Sequence, residues 1–119
     1  MREPIRDRGR LEHILESVNN IYEFAEGYET SQILEDKVRC FAIVYQLVVI
    51  GEAANLLTKD FRDAHEQTPW RDIISMRNFI VHGYNLVDKE EVLSVIDNDL
   101  PLLKTQIEQY LSELDKQQY

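Results

Sequence analysis

Within eight residues, Arg77-Asn78-Phe79-Ile80-Val81-His82-Gly83-Tyr84, the chain gathers an arginine, an asparagine, a histidine and a tyrosine. A guanidinium grips phosphate through paired N–H donors, and an imidazole moves protons near neutral pH. That pairing is what metal-free RNA cleavage requires: a cation on the phosphate and a group that exchanges protons with the reacting oxygens. No other stretch of the chain offers a comparable set.

These residues close a segment with helical periodicity. Thr68-Pro69 is a start signal, a capping hydroxyl followed by Pro at the first helical position, and Gly83 is a natural stop. On a helical wheel at about 100° per residue, Ile73, Met76 and Ile80 make the core-facing arc, with Trp70, Ile74 and Val81 nearby. Arg77 and Tyr84 fall between those groups. A charge in an apolar arc needs a partner or a ligand. The internal candidate is Glu52, the one carboxylate in the apolar centre of the preceding long helix.

Arg71, Ser75, Asn78 and His82 share another direction on the wheel. His82 stands at the helix C-terminus, where the macrodipole favours positive charge, which suits a proton donor. Asn78, one turn earlier, is in reach of the imidazole or of a phosphate oxygen. Arg77 and His82 diverge on a single helix, and a symmetric pair of chains would set two copies of the motif across one cleft. Singly, each residue also has an ordinary reading: a helix-end histidine on a carbonyl, a snorkelling or paired arginine, a packed tyrosine.

The elements that must hold this segment are helices. One is expected over residues 4–25, where Leu11, Ile14, Leu15, Val18, Ile21, Tyr22 and Ala25 repeat at spacings of three and four, with Gly27 ending it. A second is expected over 34–57. Its Val38, Phe41, Ala42, Tyr45, Leu47, Val48, Val49 and Ala53 give the wide apolar surface of a central helix, and Gly51 and Ala53-Ala54 would admit a close neighbour. A short piece is expected over 60–66. Asp88, with Glu91 three residues on, caps a last helix whose stripe runs from Val92 to Leu114, with a kink or restart at Pro101 and a frayed tail from 115 to 119. No strand-like alternation and no internal repeat appears. The expected fold is all-α, an up-and-down bundle of four to five helices forming one domain over residues 1–119.

At 119 residues, with 44% hydrophobic and 29% charged, the chain is large enough for a real core. A lone Cys40 excludes an internal disulfide and fits a reducing compartment. Arg2, Arg6, Arg8 and Arg10 have no apolar run behind them, so no secretory signal is expected. The apolar stretch 41–57 contains Gln46, Glu52 and Asn55 and reads as a core helix, not a membrane span. A cytoplasmic protein without membrane contact is expected. The net charge of −9 argues against non-specific coating of nucleic acid but leaves room for a small basic site. A di-iron bundle would need Glu-x-x-His pairs. Arg10, Arg62 and Phe79 stand three residues before His13, His65 and His82, so no metal and no cofactor is expected. His13 and His65 are expected to be solvated.

Arg-x-x-x-x-His-x-Tyr with Asn directly after the Arg, together with Ile50-Gly51-Glu52-Ala53-Ala54, Pro69-Trp70 and Asp99-Leu100-Pro101-Leu102-Leu103, resembles the HepT-like toxins of the HEPN superfamily. The likeness runs from about residue 4 to 114. It implies an all-α bundle that dimerises through the motif face and cleaves RNA without a metal. Arg77 would hold the scissile phosphate, His82 would act as general acid–base on the 2′-hydroxyl or the leaving 5′-oxygen, and Asn78 would support the site. The product would be a 2′,3′-cyclic phosphate, and a structured RNA such as tRNA would be the substrate. The resemblance also implies a partner, a nucleotidyltransferase antitoxin of the MntA type that transfers AMP to Tyr84. Phosphates added there would block the RNA site. An alternative is a non-catalytic helical partner of that nucleotidyltransferase, which offers Tyr84 and cuts nothing. A purely structural bundle leaves Arg77 unexplained.

Overall fold

Leu11, Ile14, Val18 and Ile21 recur every three or four residues and form a fully buried stripe along α1 (Arg2–Ala25). After α2 (Thr30–Glu35), Ile43, Leu47, Ile50 and Ala54 of α3 (Lys37–Leu56) pack into the same core. α4 (Lys59–Ala64), α5 (Trp70–Gly83), a 3-10 turn (Tyr84–Leu86), α6 (Lys89–Leu93), α7 (Val95–Asn98) and α8 (Leu100–Gln117) complete the order. α3 is central: it packs on α1 and on α5, and α8 packs on α1, with Leu103, Ile107 and Tyr110 of α8 buried in the core. The computed structural model describes residues 2–86 and 88–117, less the side chains of residues 2–5, 84 and 117. Among the described residues the fold is all-α, a helical bundle without strands.

The breaks between helices trace to caps. The expected helix over 34–57 is divided at Asp36, whose extended backbone ends α2 and whose carboxylate accepts from the Arg39 N–H at 3.1 Å to open α3. That backbone hydrogen bond, with Arg39 beside it, holds the Asp36 carboxyl below the usual carboxylate range. Asp88 caps α6 as its spacing predicts, accepting from the N–H groups of Glu90 and Glu91. The expected last helix is three pieces, α6, α7 and α8. Pro101 sits in the first turn of α8, where a missing N–H breaks no intrahelical bond. α8 does not fray from residue 115; Asp115 is held by an ion pair with Arg8 and the helix reaches Gln117. The expectation for residues 118 and 119 lies outside the described residues.

Two further expectations are corrected. Val38, Phe41 and Tyr45 are not core: they are 80%, 47% and 63% exposed. α3 is apolar on more sides than its neighbours bury. α3 is also the one helix among the described residues long and apolar enough to cross a membrane; Ile43, Leu47 and Ile50 instead lie buried in the bundle. His65 is half-buried, not solvated. Its ring stacks on Phe61 at 4.0 Å between centroids and meets Tyr110 edge-on, and its Nδ1 lies 2.7 Å from the Phe61 carbonyl. His13 is exposed. Cys40 is buried, which pushes its thiol pKa up.

α4 is tied to the far end of the chain. Thr58 caps it, accepting from the Phe61 N–H at 3.1 Å. The Thr58 backbone N–H and hydroxyl both donate to the buried carboxylate of Asp7, at 2.8 and 2.7 Å. Asp7→Ala leaves these donors unmatched and should lower stability by about 1–3 kcal/mol, read as a shifted urea midpoint. An unchanged midpoint would show that the pair contributes nothing.

Candidate functional site

The residues around Arg77 come together because α3 and α5 approach closely. A Cβ placed on Gly51 would lie 2.2 Å from the Arg77 Cβ and 2.8 Å from its Cγ, and 3.2 Å from the Ile73 carbonyl oxygen. Only glycine leaves room for the arginine stem at this crossing. The stem lies over α3 and carries the guanidinium past its edge, so that the side chain is 29% exposed. Nη2 meets Glu52 Oε1 at 3.4 Å, and Nη1 donates to Asn78 Oδ1 at 2.8 Å. Nε is enclosed and has no hydrogen-bond partner among the described residues.

Arg77 therefore has the partner that its place in the apolar arc demands. Glu52 is 53% exposed, and an ion pair in that setting stabilises a fold by about 0–1 kcal/mol. Its effect is on geometry: with Asn78 it holds the guanidinium plane in place. A guanidinium carries five N–H donors. Asn78 and Glu52 take one each and Nε–H is enclosed, which leaves one N–H on each terminal nitrogen for a ligand. Two parallel donors of this kind match a phosphate or carboxylate edge.

His82 lies in the last turn of α5 with its side chain exposed. It shares the outward stripe of the helix with Arg71, Ser75 and Asn78, all exposed. Asn78 turns its amide oxygen to Arg77 and so belongs to the arginine's setting; the expected reach to the imidazole is not what its oxygen does. Arg77 and His82 are about 140° apart around one helix, and one chain does not bring them onto one side. Tyr84 begins the 3-10 turn directly after α5, and its side chain lies outside the described residues. No group of three or more His, Cys, Asp or Glu among the described residues is placed to hold a metal ion.

Sequence reasoning missed what supports the start of α5. Thr68 is not spent on capping. Its buried hydroxyl bonds the Tyr110 hydroxyl at 2.6 Å and Gln106 Oε1 at 2.6 Å, both on α8. Trp70 Nε1 donates to the His65 carbonyl at 3.0 Å, and Gln106 Nε2 to the Gln67 carbonyl at 3.2 Å. Burial raises the Tyr110 phenol pKa, against the opposing pull of the Thr68 bond. A polar residue buried by contacts across 38 and 42 positions leaves no local signal; the nearby aromatics Phe61, Trp70 and Tyr110 are the only hint.

The family model described as "Ribonuclease HepT-like" matches residues 14–110, most of the chain and all of the Arg77–Tyr84 motif. The chain belongs to the HepT-like family. Among its relatives is a Thermococcus cleftensis protein named "Probable ribonuclease HepT", 35% identical over 82% of this chain and 89% of its own length. A Caldanaerobacter subterraneus protein named "Putative RNase TTE0752" is 33% identical over 89% of this chain and 95% of its own. A Methanocaldococcus jannaschii protein named "Putative RNase MJ1380" is 30% identical over 82% and 90%. No solved structure matches the chain.

In this HepT-like chain, Gly51→Ala drives a methyl group into the Arg77 stem, so α3 and α5 must separate. The expected loss is about 1–3 kcal/mol, by thermal or urea unfolding; native stability would refute the close approach. Glu52→Gln keeps the size and removes the charge. It should change stability by less than about 1 kcal/mol and lower RNA cleavage, since the guanidinium loses its anchor. Full activity in this variant would show that Glu52 does not position Arg77.

Proposed function

We propose that this HepT-like protein is a toxin endoribonuclease that cleaves RNA, with tRNA as the substrate, without a metal. The observation that carries the reading is Arg77: a guanidinium pinned by Glu52 and Asn78 with two N–H groups left over, on the helix that presents His82. The ribose 2′-hydroxyl attacks the neighbouring phosphorus and the bond to the 5′-oxygen breaks, giving a 2′,3′-cyclic phosphate. Arg77 binds the non-bridging oxygens and stabilises the charge that builds on them. His82 exchanges protons with the 2′-hydroxyl or the leaving 5′-oxygen. Asn78 acts through Arg77 as a positioning residue.

Because Arg77 and His82 diverge on one helix, the working unit is a homodimer. The exposed α3 residues Val38, Tyr45 and Leu56 support this. They fall with Glu52 within about 40° of one helical direction, so a second copy that covers them comes to the edge of the arginine site. Two imidazoles then face one cleft, one to accept a proton and one to donate. An MntA-type nucleotidyltransferase antitoxin silences the toxin by transferring AMP from ATP to the Tyr84 hydroxyl, with pyrophosphate leaving. The new phosphodiester lies two residues from His82, where it competes with RNA for the site.

The test is cleavage of tRNA by the purified chain in EDTA, beside His82→Ala, with a mass spectrum of each. Fragments ending in cyclic phosphate are expected from the wild type, with at least about a hundredfold less from the variant. An unmodified wild type that cuts nothing would favour the non-catalytic partner subunit. Coexpression with the nucleotidyltransferase should add AMP mass to the wild type and none to Tyr84→Phe.

A further inference from the structure

Beside α5, on the flank away from α8, the chain forms a groove of about 600 Å³ between α4 and α5. Its walls carry Lys59, Arg62 and Arg71 against Asp63 and Glu66, a net positive lining on a chain of net charge −9. The pairing within it is uneven. Lys59 is bound to Asp63 at 2.6 Å, whereas Arg62 and Arg71 have no acidic partner within 4.0 Å among the described residues. Arg62 is half-buried and its Nε is enclosed without an acceptor. Elsewhere, Arg8, Arg39 and Arg77 hold carboxylates, while Arg10, on α1, also forms no ion pair among the described residues. Two arginines outside any ion pair, lining one groove of an acidic protein, make a place for an external anion.

The position of the groove identifies that anion. Arg71 and Ser75 line it, and both continue into the exposed stripe that carries Asn78 and His82. From Arg71 to His82 the helix rises by about 16 Å, a span of a few nucleotides along an extended strand. A strand that passes His82 follows this stripe toward the groove. We propose that the α4–α5 groove binds backbone phosphates of the RNA outside the scissile one, with Arg62 and Arg71 as the contacts. This rests on the ribonuclease reading of the motif. It also explains how an acidic protein holds a polyanion: two arginines outside any ion pair line one groove. Phosphate contacts of this kind set affinity and register and carry no base preference.

The experiment is binding of a fluorescein-labelled single-stranded oligoribonucleotide to the His82→Ala chain, by anisotropy over a range of salt. Adding Arg62→Gln and Arg71→Gln should weaken binding roughly tenfold or more at low salt. It should also flatten the log–log salt slope by about 1.4, the value for two lost phosphate contacts on a single strand. Arg62→Lys with Arg71→Lys should restore most of both. Lys104→Gln with Lys116→Gln removes the same charge from α8 and should change neither. Unchanged affinity and slope in the Gln pair, an equal loss in the α8 pair, or no RNA binding by the parent at low salt would each overturn the proposal. Competition by polyglutamate as strong as by RNA would also overturn it, marking a general anion or acidic-protein site. Wild-type cleavage in EDTA, measured separately, decides the ribonuclease reading by itself: binding that depends on Arg62 and Arg71 without cleavage would leave the groove standing.

Discussion

Where α3 crosses α5, residue 51 has no side chain, and the first two carbons of Arg77 occupy the room a methyl group would take. The rest of the site follows from that contact. A wider crossing would leave the arginine stem without a floor and put Glu52 out of reach of the guanidinium. Glycine in a helix interior weakens it by about 1 kcal/mol relative to alanine. That local loss is accepted in the central helix, at the position that sets how an arginine leaves the core. The same contact orders the helix faces. With Arg77 held on the α3 flank, the stripe of Arg71, Ser75, Asn78 and His82 points outward.

Much of this is legible in the chain alone. The α1 stripe, the Asp88 cap, the glycine at a close crossing and the pairing of Arg77 with Glu52 all come from periodicity and from the cost of an unpaired charge, both of which are local or pairwise rules. What is not legible has a common cause. Thr68 looks like a helix cap because its neighbours in sequence say so, but its hydroxyl answers to Tyr110 and Gln106 on another helix. His65 looks polar and solvated until Phe61 and Tyr110 enclose its ring. Val38, Phe41 and Tyr45 look like core because α3 is apolar nearly all round, and sequence does not say which sides will be covered. The division of the long helix at Asp36 was signalled by an aspartate with capping chemistry, overridden by the apolar run that follows it.

The acidity of the chain and its proposed substrate are reconciled by placement, not by total charge. Screening at physiological salt limits the reach of exposed charges to about 8 Å, so distant carboxylates weigh little at a site where cations are adjacent. Arg77 is steadied by one carboxylate and one amide; Arg62 and Arg71 form no ion pair within 4.0 Å among the described residues, although Asp63 and Glu66 line the same groove. Specific recognition on such a surface depends on shape and on a few contacts. The net charge then serves to keep other polyanions away.

The bond from Asp7 to Thr58 spans 51 positions and gives α4 an unusual dependence. A helix of six residues does not persist by its own hydrogen bonds. This one begins at a threonine whose backbone and hydroxyl are both committed to the opening turns of α1. Its existence is conditional on long-range order: closing so large a loop is entropically costly and comes only when the α1–α3 core is in place to hold the ends together. α4 thus depends on the packing of α1 against α3, and disturbing the start of α1 removes the two bonds that anchor its cap. One wall of the α4–α5 groove is α4 itself, so the state of the first helical turns is transmitted to a surface assembled from residues more than fifty positions away.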